Sequence, residues 1–123
     1  MKRNASLLIA LIVVSAVSMA ASDVAPTLKT VEAKKVCMIN ERVFEKDQIP
    51  IEVNGKTYYG CCEMCKTALA KDATKRVGID PVTGKKVDKA TAIIAANADG
   101  EVFYFETVES LNYFNTREAK KKN

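Results

Sequence analysis

Two stretches of this chain, NGKTYYGCCEMCKTAL (Asn54 to Leu69) and DGEVFYFETVESLNYF (Asp99 to Phe114), follow one plan position for position. Each opens on Asn-Gly or Asp-Gly, pairs that favour a type I′ hairpin turn because both central residues take positive φ. Each then passes through aromatic residues suited to a pleated strand and continues into a helix-compatible segment. IPIEV before Asn54 and AIIAANA before Asp99 supply the facing strands. The chain is therefore expected to repeat one unit of about 40 residues, a size too small to bury a sufficient core alone. Ile93, Ile94, Val102, Phe103, Phe105, Leu111 and Phe114 of the second copy are expected to pack against the first. The expected fold class is α+β: small units, each a β-hairpin followed by a helix, two copies packed as one compact domain.

Flanking segments set the boundaries. Lys2 and Arg3 precede an uncharged, mostly apolar run from Ala5 to Met19, and small residues cluster at Ser18, Ala20, Ala21 and Ser22. That is the pattern of a secretory signal peptide, assigned to residues 1–22. A membrane anchor is the competing reading, but a spanning helix needs roughly 20 apolar residues. No cysteine stands at the cleavage point to carry a lipid. The mature protein is thus expected to be periplasmic or secreted, with no stable membrane anchor. Residues 23–35, polar and containing Pro26, read as a linker. The first unit spans 36–78, with Gly78 as the stop of its helix, and the second spans 79–117, with Thr107 as an N-cap and Glu109 in the first turn. Residues 118–123 read as a basic tail.

Removing Lys2 and Arg3 takes the net charge from +4 to +2, too weak a bias to argue for nucleic acid. The 123 residues contain no histidine, and no Ser-His-Asp, Cys-His or phosphate-loop arrangement is present. Catalysis near neutral pH would need a strongly shifted carboxylate or lysine. A binding protein, not an enzyme, is expected. Tyr58, Tyr59, Phe103, Tyr104 and Phe105 read as core, Glu63 and Glu106 as first-turn helix carboxylates.

The chemistry concentrates in four cysteines. Cys61, Cys62 and Cys65 crowd the strand-to-helix junction, and Cys37 lies 24 positions before Cys61. On a helix, residues three or four apart share a face, so Cys65 can meet either of the adjacent pair. A helix N-terminus lowers thiol pKa and favours thiolate. The hairpin reversal can return Cys37 to the same place. Three readings follow: thiolates gathered on a metal, a disulfide staple from Cys37 to the helix, or a redox couple at Cys62 and Cys65. Thiolates select soft or borderline ions such as Cu(I) or Zn(II). Met38 and Met64 flank the cysteines and read as packing residues before ligands.

Cys37, 23 intervening residues, Cys61, three more, and Cys65 resemble the TRASH domain, a small heavy-metal-binding module, with GKTYYGCCEMC at its G-x-x-Y-x-F-C-x-x-x-C signature. The second unit, from DPVTGKKVD to DGEVFYFETVESLNYF, resembles the related YHS domain, with Thr83, Glu106 and Ser110 where cysteines commonly occur. The resemblance covers about Val36 to Thr116. It implies treble-clef-like units and a metal held by Cys37, Cys61 and Cys65, with Cys62 as a fourth ligand or a substitute for Cys61. It also implies a role in metal sensing, buffering or delivery, a metal-transport or resistance protein as partner, and a second unit that serves as scaffold.

Overall fold

Residues 27–121 are described by a computed structural model. The signal-peptide assignment falls on residues outside that range. Among the described residues, no helix is long and apolar enough to cross a membrane. After β1 (Lys29–Thr30) and a 3-10 turn at Ala33–Lys35, β2 (Val36–Cys37) and β3 (Arg42–Val43) form a short hairpin. β4 (Ile49–Val53) and β5 (Lys56–Gly60) form the next, turning at Asn54 and Gly55 with φ of 51° and 77°. Both values are positive, as the Asn-Gly pair leads one to expect. Helix α1 (Glu63–Lys71) closes the first unit.

The same order then recurs. β6 (Val77–Ile79) pairs with β7 (Lys86–Asp88), β8 (Ile93–Ala96) with β9 (Val102–Phe105), and α2 (Val108–Lys121) follows. Thr107 Oγ1 accepts from the Ser110 amide at 3.2 Å, the N-cap contact its position calls for.

Three sequence expectations need correction. The helix of the first unit ends at Lys71, not at Gly78. Asp72 breaks it by turning its carboxylate onto the Thr74 amide at 2.9 Å and starting a 3-10 turn. Arg76 then donates to the orphaned Leu69 carbonyl at 2.6 Å. Gly78 sits inside β6, where a Cβ would lie 3.0 Å from the Tyr104 ring, so its role is close approach to β9. The segment read as a linker enters the fold by residue 28. β1 adds an antiparallel edge to β8, Leu28 is buried against Ala95, Phe105 and Leu111, and Asn115 clamps Leu28 by accepting from its amide and donating to its carbonyl. The basic tail is helical as far as Lys121, because α2 runs on through it.

The main core draws on both units. Val36, Met38, Ile51, Tyr58 and Leu69 of the first interlock with Val87, Ile94, Ala96, Val102 and Tyr104 of the second. Phe105, Phe103 and Phe114 build a second cluster, with Phe105 and Phe114 edge to face at 5.7 Å. Polar ties cross the same seam. Asp88 accepts from Tyr58 at 2.8 Å and from Lys56 at 2.7 Å, and the Val43 and Val102 amides reach Gly100 and Glu41 carbonyls. The described residues form a compact α+β domain of hairpins and two helices.

Asn115→Ala should free the β1 edge. It is expected to cost about 1–3 kcal/mol, because the Leu28 amide and carbonyl lose their partners. Thermal denaturation and amide exchange at Leu28 and Val31 would read the loss.

Candidate metal centre

The site forms where three backbone segments meet: the end of β2, the end of β5 and the first turn of α1. Their closeness depends on Gly60. A Cβ there would fall 2.9 Å from Cys65 Cβ and 3.2 Å from the Lys66 amide nitrogen. Only a residue without a side chain lets the helix start so tightly against the strand. Sequence reasoning passed over Gly60; its place directly before a cysteine pair at a strand end was the available signal.

The Sγ atoms of Cys37, Cys61 and Cys65 all lie within 4.8 Å of one another. Cys65 is 3.8 Å from Cys37 and 3.6 Å from Cys61. Metal–sulfur bonds of about 2.3 Å in a tetrahedron would space the sulfurs about 3.8 Å apart. The two separations from Cys65 therefore match the edges of one coordination sphere, and the trio can hold a metal ion. A disulfide needs about 2.05 Å, and all four cysteines are free. The staple read as an alternative is thus not formed.

Cys62 is placed differently. It is the N-cap residue of α1, in extended backbone, and its thiol is exposed. Its sulfur lies 3.5 Å from Cys65 but outside the mutual trio. The methionines also divide: Met38 is fully buried in the shared core, whereas Met64 is 82% exposed and packs against nothing that would make it core.

Local fields set the protonation pattern. Burial pushes the Cys37 thiol up, but the amides of Asn40, Ile39 and Cys61 outweigh it and leave the group below its ordinary value. The Asn40 amide approaches at 3.4 Å. Cys61 is held up by the neighbouring Cys37 sulfur and then by burial, and its own sulfur accepts from Asn40 Nδ2 at 3.2 Å. Burial, followed by the three surrounding sulfurs, pushes Cys65 up to about 12. The Cys65 amide draws the Cys62 thiol down, although it makes no capping hydrogen bond of ordinary geometry. Sulfurs this close cannot all ionise together. A cation among them would offset that repulsion and favour their deprotonated forms.

The second unit answers the same backbone problem without sulfur. Cys37 pairs with Arg42 across a four-residue turn, and the Glu41 amide returns to the Cys37 carbonyl at 2.9 Å. Asp80 receives the Gly84 amide on its carbonyl at 2.8 Å and donates its own amide to Lys85 across an equal turn. Glu41 and Gly84 share positive φ, 55° and 70°. Asp80 is hence the counterpart of Cys37, and Thr83, where the YHS resemblance would place a cysteine, matches Asn40. The Asp80 carboxylate is wholly buried. Its Oδ1 accepts from Val82 at 2.7 Å and Thr83 at 3.2 Å, and its Oδ2 from the Glu106 amide at 2.9 Å. One carboxylate spans the gap that three sulfurs line in the first unit. Glu106 itself faces solvent beside Lys85, and Ser110 is buried under Asp80.

Lys89 connects the two units beneath the turn of Cys37. Its buried ammonium donates to the Met38 carbonyl at 2.7 Å, pairs with Glu41, and lies 5.1 Å from the Tyr104 ring centroid. Glu41 occupies the left-handed region, where a residue with a side chain is strained. The ion pair with Lys89 helps hold it there. Nothing in the local sequence marks Lys89, because its partners are some fifty positions away.

Asp80→Ala should cost about 3 kcal/mol, since three amides would lose a charged acceptor, each worth about 1 kcal/mol or more. Burial raises the Asp80 pKa, but the amides of Glu106, Val82 and Thr83 and the Ser110 side chain more than compensate and leave it below 3.8. A depressed folded value contributes stability above the unfolded value, lost as pH falls through the folded one. Asp80→Asn should therefore show a shallower fall in melting temperature between about pH 5 and pH 2 than the parent protein. No protein-family model, no curated protein and no solved structure matches this chain.

Proposed function

We propose that this is an exported protein that binds one soft or borderline metal ion through Cys37, Cys61 and Cys65, and that it senses, buffers or delivers that ion. The observation that carries the reading is the meeting of three sulfurs from two distant stretches at the spacing of one coordination sphere. The absence of histidine from the sequence leaves thiolate as the dominant ligand chemistry, which favours Cu(I) or Zn(II). Three thiolates satisfy Cu(I); Zn(II) would take a fourth ligand. The hairpin–hairpin–helix order fits treble-clef-like units, and the TRASH and YHS resemblance gives a family to which the two units would belong. In that family reading the second unit is a scaffold, its ion replaced by Asp80. Export, from the pattern of residues 1–22, makes a periplasmic or secreted metal-transport or resistance protein the natural partner. The role is binding and transfer, not catalysis.

Native mass spectrometry of the exported protein, with thiol titration before and after chelation, tests the reading. One ion per chain and thiols that chelation unmasks are expected. Replacing Cys61 and Cys65 together by serine should abolish the bound ion while circular dichroism keeps the helical signal. Metal-free protein whose thiols respond only to reductant would overturn the reading in favour of a disulfide-bridged module.

A further inference from the structure

The four sulfurs form a chain with one hub. Cys65 touches all three others, at 3.8 Å to Cys37, 3.6 Å to Cys61 and 3.5 Å to Cys62. Exposure rises along that chain, from buried Cys37 and Cys65 through half-buried Cys61 to exposed Cys62. Two overlapping ligand sets thus share Cys65: an inner trio and an outer pair with Cys62. Met64, at 82% exposure, adds a thioether on the same first turn of α1. A permanent fourth ligand would be expected inside the mutual set, and Cys62 stands outside it.

From this arrangement we infer that Cys62 is the exchange ligand of the site, the sulfur through which the ion enters and leaves. The inference rests on the metal-binding reading above and assigns that site a route and an acceptor class. On entry the ion first binds the Cys62–Cys65 pair. It then passes inward while Cys65 stays bound: bonds to Cys61 and Cys37 form as the bond to Cys62 breaks. Each thiol that becomes a ligand gives its proton to solvent, the released Cys62 thiolate regains one, and no electron changes hands. On exit the order reverses, and an acceptor offering thiolate or thioether sulfur takes the ion at exposed Cys62. Ligand exchange that never strips the ion of all sulfur avoids the high barrier of full dissociation.

The test uses the full chain loaded with Cd(II), followed by stopped-flow absorbance of the sulfur-to-cadmium band during uptake and during release to excess EDTA. Cys62→Ser is a suitable variant because serine is itself a favoured N-cap, so α1 is kept. The expected result is uptake and release both slower, by about tenfold, with their ratio changed less than about twofold; tenfold corresponds to about 1.4 kcal/mol of barrier. Weaker affinity with a smaller band per ion would make Cys62 a resident fourth ligand and overturn the proposal. Unchanged rates and affinity would overturn it too, leaving Cys62 a surface residue. Failure of the parent protein to take up Cd(II) at all is a separate outcome, which sinks the metal reading itself and this inference with it.

Discussion

Everything in this fold depends on a convergence of backbone amides. A tight turn, a strand end and a helix start meet at one point, and their N–H groups face inward with no carbonyl to take them. Such a junction calls for a group of negative character, since each buried amide left unpaired costs about 1–3 kcal/mol. The two units supply that group differently. Cys37 accepts from Asn40 at the first junction, and Asp80 accepts from Val82, Thr83 and Glu106 at the second. The buried carboxylate takes three amides on its own two oxygens. Sulfurs line theirs at van der Waals separation, and the space between them is where a cation fits.

The asymmetry divides the work. The second unit is held by Asp80 and by the cluster of Leu28, Ala95, Phe105 and Leu111. It presents Val87, Tyr104 and Lys89 to the first unit. Lys89 fixes the turn that carries Cys37 by gripping the Met38 carbonyl and Glu41. Burying an ammonium is costly unless it is paired and hydrogen-bonded, and here it has a carbonyl, a carboxylate and an aromatic face. The half that carries the sulfur trio is thus braced from outside itself. This reconciles a site of a few sulfurs with a unit too small to be stable alone.

Much of the architecture was readable along the chain because its causes are local. Asn54-Gly55 dictates its turn, Thr107 caps its helix, and the alternation of strand residues sends Tyr58 and Tyr104 to the core. The return of Cys37 to the thiol-rich junction was anticipated from the hairpin reversal, whereas the trio of Cys37, Cys61 and Cys65 was what the TRASH resemblance implied. What escaped depended on contacts between distant residues. The early segment looked like a linker because its two-residue strand has no periodicity; β8 and Asn115 give it its place. The helix limit at Lys71 turned on one side-chain choice by Asp72. Gly78 looked like a helix stop until the Tyr104 ring occupied the space beside it.

The sequence by itself determined the repeated plan, the turn positions, the thiol-rich junction and the absence of imidazole, because each follows from residue type at fixed spacing. Only the tertiary structure decided which sulfurs share one centre, that Asp80 takes the place of Cys37 in the second copy, and that Lys89 braces the site. Those outcomes rest on distances between backbone segments tens of residues apart, and such distances are set by how the two halves pack, not by any local pattern.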